Sequence, residues 1–301
     1  MTKEEIRAVL SQAETLELND AERAKANDSF IALPCGNTHY QMEGDGEAVV
    51  LVPGYATPYY LYDKVYEALL THGYRVIRYD LMGRGLSERV DVVYTPDFFA
   101  RQLRELTKAL IGDEKFYLIG TSMGGSVTTA FCNNYPGYVK KLILLAPAGM
   151  DNFKPPFYMT LCRIPGFGSR LFRAIGTKSL LNGCAKEMKY SLNEVDYYMK
   201  SFAYCTKYRD FLSCTFSSLI NTILRTDVTV KNYYSVAQQK IPMLVIWGTA
   251  DKTMPYYQKA RMEEVCPHAE FITYEGSGHI FLFDEGKRTA DDVLAFLGQE
   301  K

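Results

Sequence analysis

The chain has 301 residues, 47% of them hydrophobic, and a formal net charge of −1. That length and apolar content provide for a sizeable buried core and exclude intrinsic disorder, and the near-neutral balance offers no electrostatic basis for a nucleic-acid partner. No stretch approaches the roughly 20 apolar residues of a membrane-spanning helix, and Met1-Thr2-Lys3-Glu4-Glu5-Ile6 puts acids where a secretory signal needs a basic start.

A cytoplasmic protein is therefore expected. Its seven cysteines, Cys35, Cys132, Cys162, Cys184, Cys205, Cys214 and Cys266, are odd in number and form no Cys-x-x-Cys pair, so they read as free thiols. The four histidines, His39, His72, His268 and His279, show no ligand spacing, and neither a metal nor a cofactor is indicated.

In chain order, residues 3–26 place Ile6, Val9, Leu10, Ala13 and Leu16 at helical spacing, which predicts an amphipathic helix in a segment 1–28. Phe30 to Leu33 and His39 to Met42 read as a hairpin around Gly36-Asn37. Continuous apolar runs follow at Ala48 to Val52, Arg75 to Asp80, Phe116 to Gly120, Leu142 to Ala146, Met243 to Trp247 and Phe271 to Tyr274. Such runs suit strands buried on both faces of a parallel sheet. Helical segments between them, Tyr60 to His72, Thr95 to Ile111 and Met123 to Asn134, complete repeated βαβ units.

Four of these strands end in residues that carry chemistry. The first ends in Pro53-Gly54-Tyr55, where Gly54 lets substrate approach the backbone and the Tyr55 N–H can serve as an oxyanion donor. Phe116 to Gly120 runs into Gly120-Thr121-Ser122-Met123-Gly124, a Gly-x-Ser-x-Gly turn followed by a helix. There the glycines allow a tight elbow that exposes the Ser122 hydroxyl, and the helix aims the Met123 N–H and its positive dipole end at a nascent oxyanion. A serine hydroxyl needs a base, and His279 lies on the glycine-flanked loop Gly276-Ser277-Gly278 after the last strand. Met243 to Trp247 leads to Gly248-Thr249-Ala250-Asp251, whose carboxylate can hold the second imidazole N–H. Asp151 is the competing acid.

Taken together, these motifs resemble the α/β-hydrolase superfamily from about Ala48 to about Leu297. Pro53-Gly54-Tyr55 stands where that family usually has His-Gly-x, Asp80-Leu81-Met82-Gly83-Arg84-Gly85-Leu86-Ser87 matches its Asp-x-x-Gly-x-Gly-x-Ser turn, and the serine, acid and histidine loops follow in family order. Within it, the chain is similar to capped serine hydrolases such as monoacylglycerol lipases, carboxylesterases and meta-cleavage-product hydrolases. The resemblance implies a mostly parallel eight-stranded sheet flanked by helices, with a core of 29–150 and 241–301 and an inserted helical cap, 151–240.

That interval holds Phe153, Phe157, Tyr158, Met159, Phe167, Phe172, Tyr197, Tyr198, Phe202, Tyr204, Phe211 and Phe216, some of which are expected to wall an apolar pocket over Ser122, extended by Tyr59 and Tyr60. It also carries 13 Lys or Arg against 6 Asp or Glu, +7, which leaves −8 on the remainder and suggests contact of a basic cap with anionic lipid. The expected activity is hydrolysis of carboxylic esters with an apolar acyl or alcohol part. One alternative is C–C bond hydrolysis of a diketone acid, with Arg163, Arg170, Arg173, Arg209 or Arg225 holding the carboxylate. Another is a non-catalytic binding protein.

Overall fold

A computed structural model describes residues 13–26, 28–187 and 192–298, the side chains of 181–195 excepted. Eight strands, β1 (Ser29–Leu33), β2 (Gly36–Glu43), β3 (Ala48–Val52), β4 (Arg75–Tyr79), β5 (Phe116–Thr121), β6 (Val139–Leu145), β7 (Met243–Gly248) and β8 (Glu270–Tyr274), form one sheet in the order β1-β2-β4-β3-β5-β6-β7-β8. The first two strands are antiparallel to their neighbours and the other pairings are parallel. Every residue of β3, β5 and β7 is buried, because helices cover both sheet faces and leave no solvent side for an alternating pattern. The switch of strand order beside β3 and β5 opens a crevice at the carboxyl ends of the strands, where ligands bind in open α/β sheets.

Local chemistry sets the helix starts. Thr95 caps Pro96–Ile111, its Oγ1 accepting from the Phe98 N–H at 3.1 Å, and Pro96 fits the first turn, where no N–H is needed. The expected helix from Tyr60 instead begins as a 3₁₀ turn, Tyr59–Tyr62, and becomes α-helical over Asp63–Thr71. The hairpin turn lies at Pro34-Cys35 rather than Gly36-Asn37, since Leu33 pairs with Gly36 and Ala32 with Asn37. Proline has no N–H for the ladder and so occupies the turn, while Gly36, at φ 133°, takes the return into β2.

The expected N-terminal helix lies mostly outside the described residues. Within 13–26 only Asp20–Arg23 is helical, capped by Asn19. Upstream of it the backbone is tied to the segment between β6 and β7 instead: Glu14 N–H donates to the Thr206 carbonyl at 2.9 Å and Arg209 N–H to the Leu16 carbonyl at 2.8 Å. Ion pairs Arg173–Glu14 (3.0 Å) and Arg209–Glu17 (2.7 Å) meet part of that segment's positive charge on the same seam.

Between β6 and β7 the described residues hold helices Phe157–Leu161, Gly168–Glu187, Leu192–Thr206, Phe211–Ser218 and Thr226–Gln238, with a π-helical turn at Leu219–Ile223, and no strand. Thr226–Gln238 packs on the helix Met123–Asn134, where Tyr233 Oη donates to the Ala148 carbonyl at 2.7 Å. It therefore packs beside the helix that follows β5. No helix among the described residues is long and apolar enough to cross a membrane.

The start of β1 is fastened to the sheet by a buried charge cluster. His39 Nδ1 lies 2.6 Å from Asp80 Oδ2, and Nε2 lies 3.1 Å from Asp28 Oδ2. Burial opposes the imidazolium, yet the Asp80 and Asp28 carboxylates outweigh it and raise the His39 pKa to about 9. Because the folded value is raised, the stabilisation is fully present below the ordinary His range near 6.5 and is lost as pH rises through 9. His39→Gln should lower the melting temperature clearly at pH 6.5, by up to about 3 kcal/mol of stability, with the gap to wild type narrowing by pH 9.5. A gap independent of pH would remove the charge from the explanation.

Candidate active site

Ser122 sits between β5 and the helix Met123–Asn134 at φ 54° and ψ −121°, a conformation that costs a non-glycine residue on the order of 1–3 kcal/mol. Neighbouring β6 and its loop hold it there. Ser122 N–H donates to the Leu145 carbonyl, and Ala148 N–H to the Ser122 carbonyl, both at 2.9 Å. The flanking glycines are required by space. A Cβ on Gly120 would stand 2.6 Å from the Gly124 carbonyl oxygen, and one on Gly124 would stand 2.5 Å from that of Val52. As the first helical residue, Met123 has an N–H with no intrahelical carbonyl to serve, at the positive end of the dipole.

His279, on the loop after β8, places Nδ1 2.8 Å from Asp251 Oδ2, and both side chains are buried. With Nδ1 donating to the carboxylate, Nε2 is the ring's acceptor nitrogen. The other Asp251 oxygen accepts from the Thr253 and Met254 N–H groups at 2.9 and 2.8 Å, so one carboxylate orients the imidazole and also fixes its own loop. A Cβ on Gly248 would lie 2.3 Å from the Ser277 carbonyl oxygen, which explains the glycine that brings the acid and histidine loops together. Asp151 is elsewhere. Its oxygens receive Arg261 Nε and Nη2 at 2.8 and 3.0 Å, and that guanidinium holds the carboxyl below the usual range.

Ser122 and His279 line one cavity of about 280 Å³, together with Gly54 and Tyr55. A Cβ on Gly54 would be 3.4 Å from Ser122 Cβ, an ordinary contact, so the glycine leaves room beside Ser122 without being demanded by a clash. Apolar walls come from Leu61, Met254 and Ile280 of the core and from Tyr158, Met159, Leu180, Tyr198, Leu219 and Ile223 above. Of the twelve aromatic or apolar cap residues singled out in the sequence, only Tyr158, Met159 and Tyr198 are among them. Phe202 and Phe211 are buried in the hydrophobic core, while Phe157 is 77% exposed. Leu219 and Ile223 escaped the sequence reading because the π-helical turn that carries them has no pattern of its own.

Tyr59 and Tyr60 do not line this cavity, contrary to the expectation. Tyr59 N–H donates to Asp80 Oδ1 at 3.1 Å, its hydroxyl donates to Asp28 at 2.9 Å, and its ring stacks on His39. Tyr60 lies edge-on to Tyr197 and Tyr198. Both face a second, more open and polar cavity of about 800 Å³. The cause is the 3₁₀ turn, which with three residues per turn directs Leu61 into the serine cavity and its two predecessors away.

A family model described as alpha/beta hydrolase fold matches residues 47–286. A 2-hydroxy-6-oxononadienedioate/2-hydroxy-6-oxononatrienedioate hydrolase of Paraburkholderia phymatum is 27% identical, over 87% of this chain and 91% of that one. Lipase 3 of a Moraxella species is 25% identical, over 88% and 83%. The esterase of Exiguobacterium antarcticum superposes with a TM-score of 0.73 at 20% identity, covering 90% of this chain and all of that one, a likeness of fold.

Proposed function

Because the chain belongs to the α/β-hydrolase fold family, we propose that it hydrolyses carboxylic esters with an apolar acyl or alcohol part through Ser122, His279 and Asp251. The observation that carries this reading is the meeting of the elbow serine and the carboxylate-bound imidazole on one apolar cavity. In this mechanism Ser122 Oγ attacks the ester carbonyl as His279 Nε2 takes its proton, and Asp251 stabilises the imidazolium. The Tyr55 and Met123 N–H groups hold the oxyanion. Collapse of the tetrahedral intermediate breaks the ester C–O bond, and His279 returns its proton to the departing alcohol. Water, deprotonated by the same imidazole, then attacks the acyl-serine, releasing the acid and the free hydroxyl. No cofactor enters any step.

C–C bond hydrolysis of a diketone acid requires a cation beside the substrate carboxylate. Arg163 donates to the Leu224 carbonyl, Arg173 pairs with Glu14, Arg209 with Glu17 and Arg225 with Asp227. None of these four, nor the exposed Arg170, lines the cavity, which favours an ester over a diketone acid held by one of them; the exposed Lys252 is the one Lys or Arg among the described lining residues and keeps the diketone acid as the competing substrate in the assay below. Free thiols at the six cysteines with described side chains fit the reducing cytoplasm we assign to it.

Each buried methylene can contribute up to ~0.8 kcal/mol, several-fold in kcat/KM. A series of p-nitrophenyl esters should therefore rise in kcat/KM from acetate to medium-chain acyl groups and level off once the cavity is full. Ile223→Trp, which fills part of it, should move the optimum toward acetate and cost about tenfold or more on octanoate. A wild-type preference for acetate, or faster cleavage of a diketone acid than of any ester, would replace this reading.

A further inference from the structure

Arg84 is 0% exposed, and its described side-chain hydrogen bonds go to carbonyls rather than to a carboxylate. Burial disfavours its charge, yet a guanidinium does not deprotonate in a protein, so the fold keeps a costly cation at this point. It is surrounded by the rings of Tyr55, Tyr94 and Phe99 at 5.8, 5.7 and 5.5 Å. Its hydrogen bonds go to its own turn and to two remote segments: Nη1 to the Met82 carbonyl at 3.2 Å and to that of Cys214 at 3.5 Å, and Nε to the Tyr55 carbonyl at 2.9 Å. The flanking glycines make the approach feasible. A Cβ on Gly83 would stand 2.5 Å from Cys214 Cβ, and one on Gly85 would stand 1.8 Å from Asp80 Oδ2.

Tyr55 is thus gripped twice. Its carbonyl is held by Arg84, and its hydroxyl donates to the Thr215 carbonyl at 2.8 Å, on the same cap helix as Cys214. Neither grip engages its N–H. We propose that Arg84 is a positioning residue that locks the Tyr55 loop, with the Tyr55 N–H turned to the oxyanion, and ties that geometry to the seating of the helix Phe211–Ser218. The catalytic half of this inference rests on the ester-hydrolase reading; the locking of the loop does not. An ordinary core residue would act on stability alone, whereas a lock on an oxyanion donor acts on the transition state more than on substrate binding.

The test compares Arg84→Met, of similar length but without donors, with Arg84→Lys, which keeps the charge and a donor. For p-nitrophenyl butyrate, Arg84→Met should lower kcat about 10- to 100-fold with KM within about threefold. Fluorophosphonate labelling should slow by the same factor, amide exchange across residues 53–57 should accelerate, and Arg84→Lys should recover part of kcat. A kcat within threefold of wild type would overturn the proposal. So would unchanged exchange of the loop in a folded variant, or losses in both variants that merely follow their melting temperatures. Should Arg84→Met fail to fold, Arg84→Lys against wild type carries the same readouts. If wild type neither cleaves an ester nor labels, the ester reading fails, and loop exchange still decides whether Arg84 is the lock.

Discussion

Ser122→Ala is expected to abolish ester turnover, by at least ~10⁴-fold in kcat, and to eliminate covalent labelling by a fluorophosphonate. The substitution removes one hydroxyl. Its backbone role is untouched, because Ser122 is held at φ 54° by the Leu145 carbonyl and by the Ala148 N–H rather than by its own side chain. Alanine bears the same Cβ in the same strained conformation, so the melting temperature should change little. Turnover or labelling that persists in the folded variant would move the nucleophile to another residue. Loss of labelling together with unfolding would refute the expectation that the side chain is dispensable for the fold.

Asp251→Asn is the second large effect, and it separates two functions of one carboxylate. Oδ1 accepts from the Thr253 and Met254 N–H groups, and an asparagine carbonyl oxygen can do the same, so the loop after β7 should survive. Oδ2 receives His279 Nδ1, and an amide NH₂ placed there donates where it should accept. The imidazole is then driven to the other tautomer, with its proton on Nε2, and can no longer take the proton of Ser122. A loss of roughly 10³- to 10⁴-fold in kcat follows, with near-normal melting. Asp151→Asn serves as the contrast: it breaks a surface pair with Arg261 and should leave kcat within about twofold. The reverse outcome would transfer the acid to Asp151.

Much of the architecture was legible because its signals are local. Continuous apolar runs such as Ala48 to Val52 and Met243 to Trp247 are the mark of strands covered on both faces, and the structure contains them as β3 and β7. Glycines at 120 and 124 around Ser122 announce an elbow, since only a missing side chain tolerates the contacts with Val52 and Thr128 found there. The order of the serine, acid and histidine loops along the chain put His279 ahead of three other histidines and Asp251 ahead of Asp151 as expectations, and the structure pairs His279 Nδ1 with Asp251 Oδ2 and Asp151 with Arg261. Between Leu142 to Ala146 and Met243 to Trp247 the sequence reading places no strand, and the described residues there form helices.

What only the tertiary structure decided are the directions of side chains and the destinations of charges. Tyr59 and Tyr60 lie close to Gly54-Tyr55 in sequence, yet the Tyr59 N–H donates to the distant Asp80 within a 3₁₀ turn that sends Leu61 to the cavity instead. The cap's net charge of +7 says nothing of Arg173 and Arg209 reaching Glu14 and Glu17, acids that lie more than 150 positions earlier. Thr226–Gln238 has the same helical pattern as the helices before it, and only the structure shows that it packs on Met123–Asn134. Arg84 stands in a glycine-rich turn in the sequence, and only the tertiary structure encloses it with the Tyr55 and Cys214 carbonyls and the rings of Tyr55, Tyr94 and Phe99. Periodicity and glycine punctuation depend on residues a few positions apart and are therefore written in order along the chain. Pocket walls and buried charges depend on which distant segments meet, and that is settled only when the whole sheet and its cap have packed.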